Sequence, residues 1–327
     1  VGFGLWMGRG SCGWIRPPGP LTAWPRGGVS HDGGMRSSSV AGIAHLELFR
    51  GSEAVTHGYL SRNDLRGPRV QRLFRDVYTW SGIPVTHELR ARAAALALPA
   101  GAVITGRSAA SVRGAPVAWR DDPVDVVAPL TLRIGRRSGV LLRRTELRAE
   151  DSAPWGGGLI ASPLRMGLDL LLGRPLPDST ADLDQVLRCG LVDRAELAAA
   201  LRARHDNGIV VARQAEQLAT GVADSVPESK VRVHLVLAGL DPVAQYWIEV
   251  GGERIALVDL AFPARKVAVE YDGAWRDNQI WALNKDRERL NRVQAAGWRV
   301  VFVTAALLRN PARMVAEIRG ALSTMEP

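Results

Sequence analysis

The apolar positions split the chain into stretches of different period. Residues 1–43 carry Gly, Pro, Trp and Ser with neither a helical nor a strand repeat. That composition predicts disorder, and Met35 inside it is a candidate translation start. From Ala44 an apolar pattern through Leu46, Leu48, Phe49, Ala54 and Val55 predicts a helix that Gly58 breaks. Ser61 with Asp64 three residues on is a weak capping box, marking a second helix start. In Arg69–Arg75, Val70, Leu73 and Phe74 stand at i, i+3 and i+4, which predicts a third helix displaying Arg69, Arg72 and Arg75 elsewhere. The β-prone run Val77–Trp80 ends at Gly82. Three short helices and a strand across 44–85 predict a winged helix-turn-helix, with Arg69–Arg75 as its recognition helix.

Residues 86–224 read as a small α/β middle region with a helical linker. His87–Leu98 is an Ala-rich helix, Ala102–Ile104 a strand, and Ser108–Val112 a helix closed by Gly114. Val124–Val127 and Gly139–Leu142 read as strands separated by Arg133, Arg136 and Arg137, and Ser162–Leu172 and Leu183–Arg204 as helical. The remaining stretch, 225–327, opens on Ser225-Val226-Pro227-Glu228, a strong helix start with Pro in the first turn and Glu at its third position. Strands at Tyr246–Ile248, Ile255–Val258 and Val267–Asp272 follow, then a helix from Gln279 to Ala296, a strand from Trp298 to Thr304 and a helix from Pro311 to Leu322. The predicted fold class is therefore α/β (an α+β multidomain chain), with the order αβββαβα at its C-terminal end.

The candidate chemistry sits in the second and third of those strands. If they form a hairpin turning at Pro263–Lys266, paired positions sum to 529, and Asp259 faces Glu270 with Cβ atoms about 5 Å apart. Alternation puts Asp272 on the face of Glu270. Three carboxylates then converge within otherwise apolar strands, where like charges repel and burial is costly. A hard divalent cation relieves both, and Mg²⁺ bound by one or two carboxylates with phosphate and water suits phosphodiester hydrolysis. The alternative is an acidic face that is solvated or paired with Arg287 and Arg289. Glu228 has two readings as well, a helix cap or a group beside the metal, and Gln245 either polarises a water or satisfies a strand end.

Composition sharpens the partner. Hydrophobic residues make up 46% of the chain, enough to build cores. The net charge of +9 favours a polyanion, although a GC-rich coding sequence that inflates Arg would give the same figure. Placement is more telling, because between His45 and Glu150 there are 17 Arg against 10 acids. Two cysteines, Cys12 and Cys189, are too few for a disulfide framework and lack metal-ligand spacing. No apolar run approaches a membrane span and no signal peptide is evident, so a cytoplasmic protein is expected.

Gly58-Tyr59-Leu60-Ser61, Leu73-Phe74-Arg75-Asp76-Val77-Tyr78, Thr105–Ala110 and Ser162-Pro163-Leu164-Arg165 give residues 44 to about 175 a resemblance to the AbiEi antitoxin family of type IV toxin–antitoxin systems. Asp76 stands where that family has Gly. Residues 226–322 resemble a Vsr-like nuclease of the PD-(D/E)XK superfamily through Pro227-Glu228-Ser229, Gln245, Val258-Asp259-Leu260, Val269–Gly273, Asp286-Arg287 and Gly297–Val300. This second resemblance implies Asp259 and Glu270 as ligands of Mg²⁺ (or Mn²⁺), with Asp272 where the wider superfamily has Lys and Arg276 where relatives of this branch have His. Arg276 can bind phosphate or stabilise developing charge but cannot act as a base near neutral pH. The catalytic candidates are thus Asp259, Glu270, Asp272, Glu228, Gln245 and Arg276, and the nucleic-acid-binding candidates Arg62, Arg69, Arg72, Arg75 and Arg287. Together these imply a DNA endonuclease carrying an N-terminal DNA-binding module, in a defence or toxin–antitoxin setting. The alternative is a non-catalytic DNA-binding regulator or antitoxin with a degenerate nuclease domain and a cognate toxin as partner. Oligomeric state is not legible.

Overall fold

The computed structural model describes residues 42–273 and 280–324, the side chains of 280–286 excepted. These residues divide into two compact units at Asp169 and Leu170, and both mix helices with sheets, as the α/β class requires. The expected disorder of 1–43 falls almost wholly outside the described residues.

The first unit holds two sheets. The smaller consists of β1 (Phe49–Arg50), β2 (Val70–Phe74) and β3 (Val77–Trp80) in the antiparallel order β1-β3-β2. Helix α1 (Gly51–Thr56) and a single 3₁₀ turn (Asp64–Arg66) lie between its first two strands. The capping box forms as expected: Asp64 Oδ2 accepts the Ser61 N–H at 2.8 Å and Ser61 Oγ accepts the Asp64 N–H at 3.1 Å. Only the 3₁₀ turn follows it.

The expected recognition helix is not there. Arg69–Arg75 instead contributes the edge strand β2, joined to β3 through Arg75 and Asp76. Val70 and Phe74 are buried, and their spacing of four places two residues on one face in a strand as well as in a helix. The pairing partner β3 decides between the two periods. Asp76 makes the turn at φ 63°, a conformation that favours Gly and tolerates Asp. Its carboxylate is anchored by the Ser52 N–H at 2.7 Å and the Ser52 hydroxyl at 2.5 Å.

The larger sheet has the order β6-β5-β4-β8-β7, from β4 (Val103–Ile104), β5 (Val124–Ala128), β6 (Val140–Arg144), β7 (Ser152–Trp155) and β8 (Gly158–Ala161). The last two strands, a hairpin through Gly156 and Gly157, were not expected from the sequence. Helices α2 (His87–Ala97), α3 (Gly106–Val112) and α4 (Pro163–Leu171) complete the unit. A buried polar knot ties α4 to the start of α3. Thr105 Oγ1 donates to Asp169 Oδ2 at 2.6 Å, Arg165 Nε donates to the same oxygen at 2.9 Å, and Arg143 pairs with the other oxygen.

The second unit begins with α5 (Leu176–Arg188), α6 (Arg194–Arg202) and α7 (Ile209–Leu218), so the expected helix over Leu183–Arg204 is two helices with Gly190 between them. Helix α8 (Val226–Leu237) follows, and Arg232 of α8 pairs with the buried Asp184 of α5 at 2.9 Å. Strands β9 (Val243–Val250), β10 (Glu253–Phe262), β11 (Val267–Asp272) and β12 (Arg299–Thr304) form one sheet in the order β12-β11-β10-β9, antiparallel except for β11 with β12. Helix α9 (Ile280–Ala295) precedes β12; the four-residue α10 (Ala305–Leu308) and α11 (Pro311–Ser323) follow it. Val231 and Leu235 of α8 and Met314 and Ile318 of α11 pack on Leu260, Val269 and Val303 on one side of the sheet. Val293 of α9 packs with Trp298 on Ile248, Ala256, Val258 and Ala268 on the other.

Candidate active site

The hairpin register is the expected one. Leu260 pairs with Val269, Ala261 with Ala268 and Phe262 with Val267, so paired numbers sum to 529 and the next position brings Asp259 to Glu270. The regular ladder stops there. In place of a main-chain carbonyl, the Asp259 carboxylate accepts the Tyr271 N–H at 2.8 Å.

A change of face in both neighbouring strands accounts for this. Two residues apart on a strand ordinarily share a face. Yet Val258 belongs to the core beneath α9 and Leu260 to the core beneath α8. On β9, Tyr246 and Ala244 are divided in the same way. The residues at the crossover are Asp259 and Gln245, which the register sets opposite each other, and Gln245 has φ 51°. A left-handed residue inside a strand works like a bulge: it re-aims the side chains around it and ends regular pairing.

Gln245 turns its amide to the start of α8, where Nε2 donates to Glu228 Oε2 at 3.0 Å. The same oxygen accepts the Asp224 N–H at 3.0 Å, and Oε1 accepts the Ser225 hydroxyl at 2.7 Å. Glu228 is therefore a capping residue that also lies close enough to Asp259 to feel its charge. Burial, and then the charge of Asp259, push the Glu228 carboxyl up to about 7 against the opposing hydrogen bond from Ser225. Burial likewise raises Asp259 to about 6. The Tyr271 N–H opposes that rise, the Glu270 charge adds to it, and Arg289 opposes it again.

Glu270 is 5% exposed, and both of its oxygens are held by Arg289 of α9: Nη1 donates to Oε1 at 2.7 Å and Nη2 to Oε2 at 2.8 Å. Of the two arginines named in the ion-paired alternative, Arg289 makes this contact, while Arg287 is exposed on the same helix. Asp272 lies on the exposed end of β11. The expected meeting of three carboxylates is corrected accordingly: among the described residues, no three His, Cys, Asp or Glu side chains come together as a metal-binding group. Strand alternation carries Asp272 to the right face, but at a strand end open to solvent. Arg276 and the side chain of Asp286 lie outside the described residues.

The remaining donors are two carboxylates, Asp259 and Glu270, on adjacent strands. An all-oxygen pair of this kind suits a hard divalent cation, and the Asp259 carboxyl is raised chiefly by burial, with the Glu270 charge adding to it. Binding one would require Arg289 to leave Glu270.

In the first unit, Arg62, Arg66, Arg69, Arg72 and Arg75 are all exposed on the 3₁₀ turn and the β2–β3 hairpin. None has a side-chain partner among the described residues. The acids nearby are already engaged: Glu47 with Arg92, Glu53 with Arg50, Asp64 with Ser61 and Asp76 with Ser52.

No family model matches the chain. It is 31% identical over 191 residues to uncharacterized proteins MT2308 and Rv2248 of Mycobacterium tuberculosis, across 57% of this chain. The chain spans 66% of the length of these curated relatives. Among solved structures, the catalytic domain of homing endonuclease I-Bth0305I has a TM-score of 0.26 at 21% identity, covering 31% of this chain and 97% of that one. The RV2827C protein from Mycobacterium tuberculosis has a TM-score of 0.39 at 18% identity, covering 66% and 83%. No helix among the described residues is long and apolar enough to cross a membrane.

Proposed function

We propose that the second unit is a metal-dependent endonuclease acting on DNA, with Asp259 and Glu270 as the ligands of Mg²⁺ or Mn²⁺. One observation carries the reading: two carboxylates occupy one row of adjacent strands at the point where regular pairing ends, and Asp259 is raised to about 6. Burying two neighbouring carboxylates is costly in a sheet, and a bound cation would offset that cost. The bound cation supplies Lewis acidity and a more acidic water. The chain's part is to hold the two carboxylates in register, with the Tyr271 N–H fixing one oxygen of Asp259. Glu228, titrating near neutrality, is suited to exchange a proton beside them, with Gln245 orienting it. The unpaired arginines of the β2–β3 ribbon suit the DNA backbone, since phosphate contacts position a protein without reading sequence.

The test is nicking of supercoiled plasmid in Mg²⁺ and in Mn²⁺ by wild type and Asp259→Ala. Metal-dependent nicking lost in the variant supports the reading. Absence of nicking by the wild type in both metals, or equal nicking by the variant, ends it.

The second reading, a DNA-binding regulator or antitoxin with an inert nuclease-like domain and a toxin partner, is favoured by the Arg289–Glu270 pair. A guanidinium bound to both oxygens already neutralises the buried acid.

A further inference from the structure

We infer that Arg289 is the resident counter-cation of this site, holding Glu270 in its ligand orientation and yielding to the divalent ion. The inference rests on the nuclease reading and gives Arg289 a positioning role within it. Two observations carry it. First, the bidentate contact covers both oxygens of a carboxylate whose side chain is 7% exposed, while the side chain of Arg289 is 23% exposed and so has a path to solvent. Second, Arg289 Nη1 also reaches the Leu257 carbonyl at 3.4 Å, so the guanidinium stands where β10 and β11 part, beside Asp259.

Asp259 and Glu270 would hold a divalent ion, and Glu270 could do so only with the oxygens that Arg289 covers. Adding two positive charges beside a third is unfavourable at such range, so the ion and the guanidinium exclude each other. Arg is suited to the waiting role: it stays charged and its planar fork presets the carboxylate plane, while its long stem can swing outward. Glu270 is then never left buried without a cation, whether or not metal is bound.

The experiment is calorimetric titration of the full chain with Mn²⁺, comparing wild type, Arg289→Gln, Arg289→Lys and Arg289→Gln combined with Asp259→Asn. Arg289→Gln should bind Mn²⁺ about tenfold more tightly than wild type, the scale expected for removing one charge at close range. Arg289→Lys, a point charge without the fork, should fall between them, and Asp259→Asn should abolish binding. Thermal unfolding gives a second measure. Arg289→Gln should melt below wild type without metal and recover more than wild type does when Mn²⁺ is added. Should Arg289→Gln fail to fold without metal, the comparison of Arg289→Lys with wild type decides. If the wild type binds Mn²⁺ through Asp259 and the Arg289 variants bind no more tightly, the exchange is refuted and the metal site stands. If none of the proteins binds Mn²⁺, the exchange and the metal-site reading fall together.

Discussion

Replacing Glu228 with Gln should remove a pH-dependent weakness from the second unit. The folded carboxyl titrates near 7 against an ordinary value of 4.5. Below pH 4.5 it is protonated in folded and unfolded chains alike and makes no difference to stability. Between 4.5 and 7 the unfolded chain has released the proton and the folded one still holds it, so stability falls as pH rises, and above 7 the loss is complete. At about 1.4 kcal/mol per unit the shift corresponds to about 3 kcal/mol, and partial solvent screening brings the expected effect to about 2 kcal/mol. Gln is nearly isosteric and can keep the contacts, turning its carbonyl oxygen to the Asp224 N–H and Gln245 while donating to Ser225 Oγ. Urea unfolding followed by circular dichroism at pH steps from 4 to 8 should show Glu228→Gln gaining on wild type as pH rises, from near zero to about 2 kcal/mol. Asp259, whose own carboxyl is raised, tilts both proteins in the same direction, and the difference between them reads the Glu228 charge together with its coupling to Asp259. A constant offset between the two curves, or a gain that shrinks toward pH 8, would refute the reasoning.

Two further outcomes are expected. Neutralising Arg69, Arg72 and Arg75 together should weaken duplex binding and lower its salt dependence by about one unit of slope per lost phosphate contact, read from fluorescence anisotropy at several salt concentrations; an unchanged slope would put the DNA contact elsewhere. Asp169→Ala should cost about 3–5 kcal/mol by chemical denaturation, because it removes the buried carboxylate that pairs with Arg165, at 1% exposure, and with Arg143; a loss under about 1 kcal/mol would mean the knot around Thr105 reorganises freely.

The C-terminal order of elements was legible because each signal had a single reading. Ser225 with Glu228 caps a helix, Gly297 ends one, and a hairpin register is a matter of arithmetic once the turn is found. The β2 segment was misread because Val70 and Phe74, four apart, fit helix and strand equally, and only the partner strand breaks the tie. The Gly156–Gly157 hairpin was missed for want of an alternating pattern in Ser152–Trp155. At the candidate site the register was readable and the side-chain directions were not. Alternation extrapolates smoothly through Asp259, whereas the strands change face there, at a row set by one left-handed Gln. Arg289 was visible only as one of two arginines that could pair with the acids, since which turn of a helix faces a strand depends on packing.

The arginines of β2 have one more consequence. An edge strand presents unpaired main-chain groups to any other chain that can add to the sheet, and β2 is such an edge. Arg72 lies within it, with Arg69 and Arg75 at its two ends, so a second copy approaching edge to edge would bring like charges together. The same side chains that suit phosphate thus oppose edge-to-edge pairing of two copies. Stripping them for a binding experiment would expose that edge, and the neutralised protein should self-associate as its concentration rises.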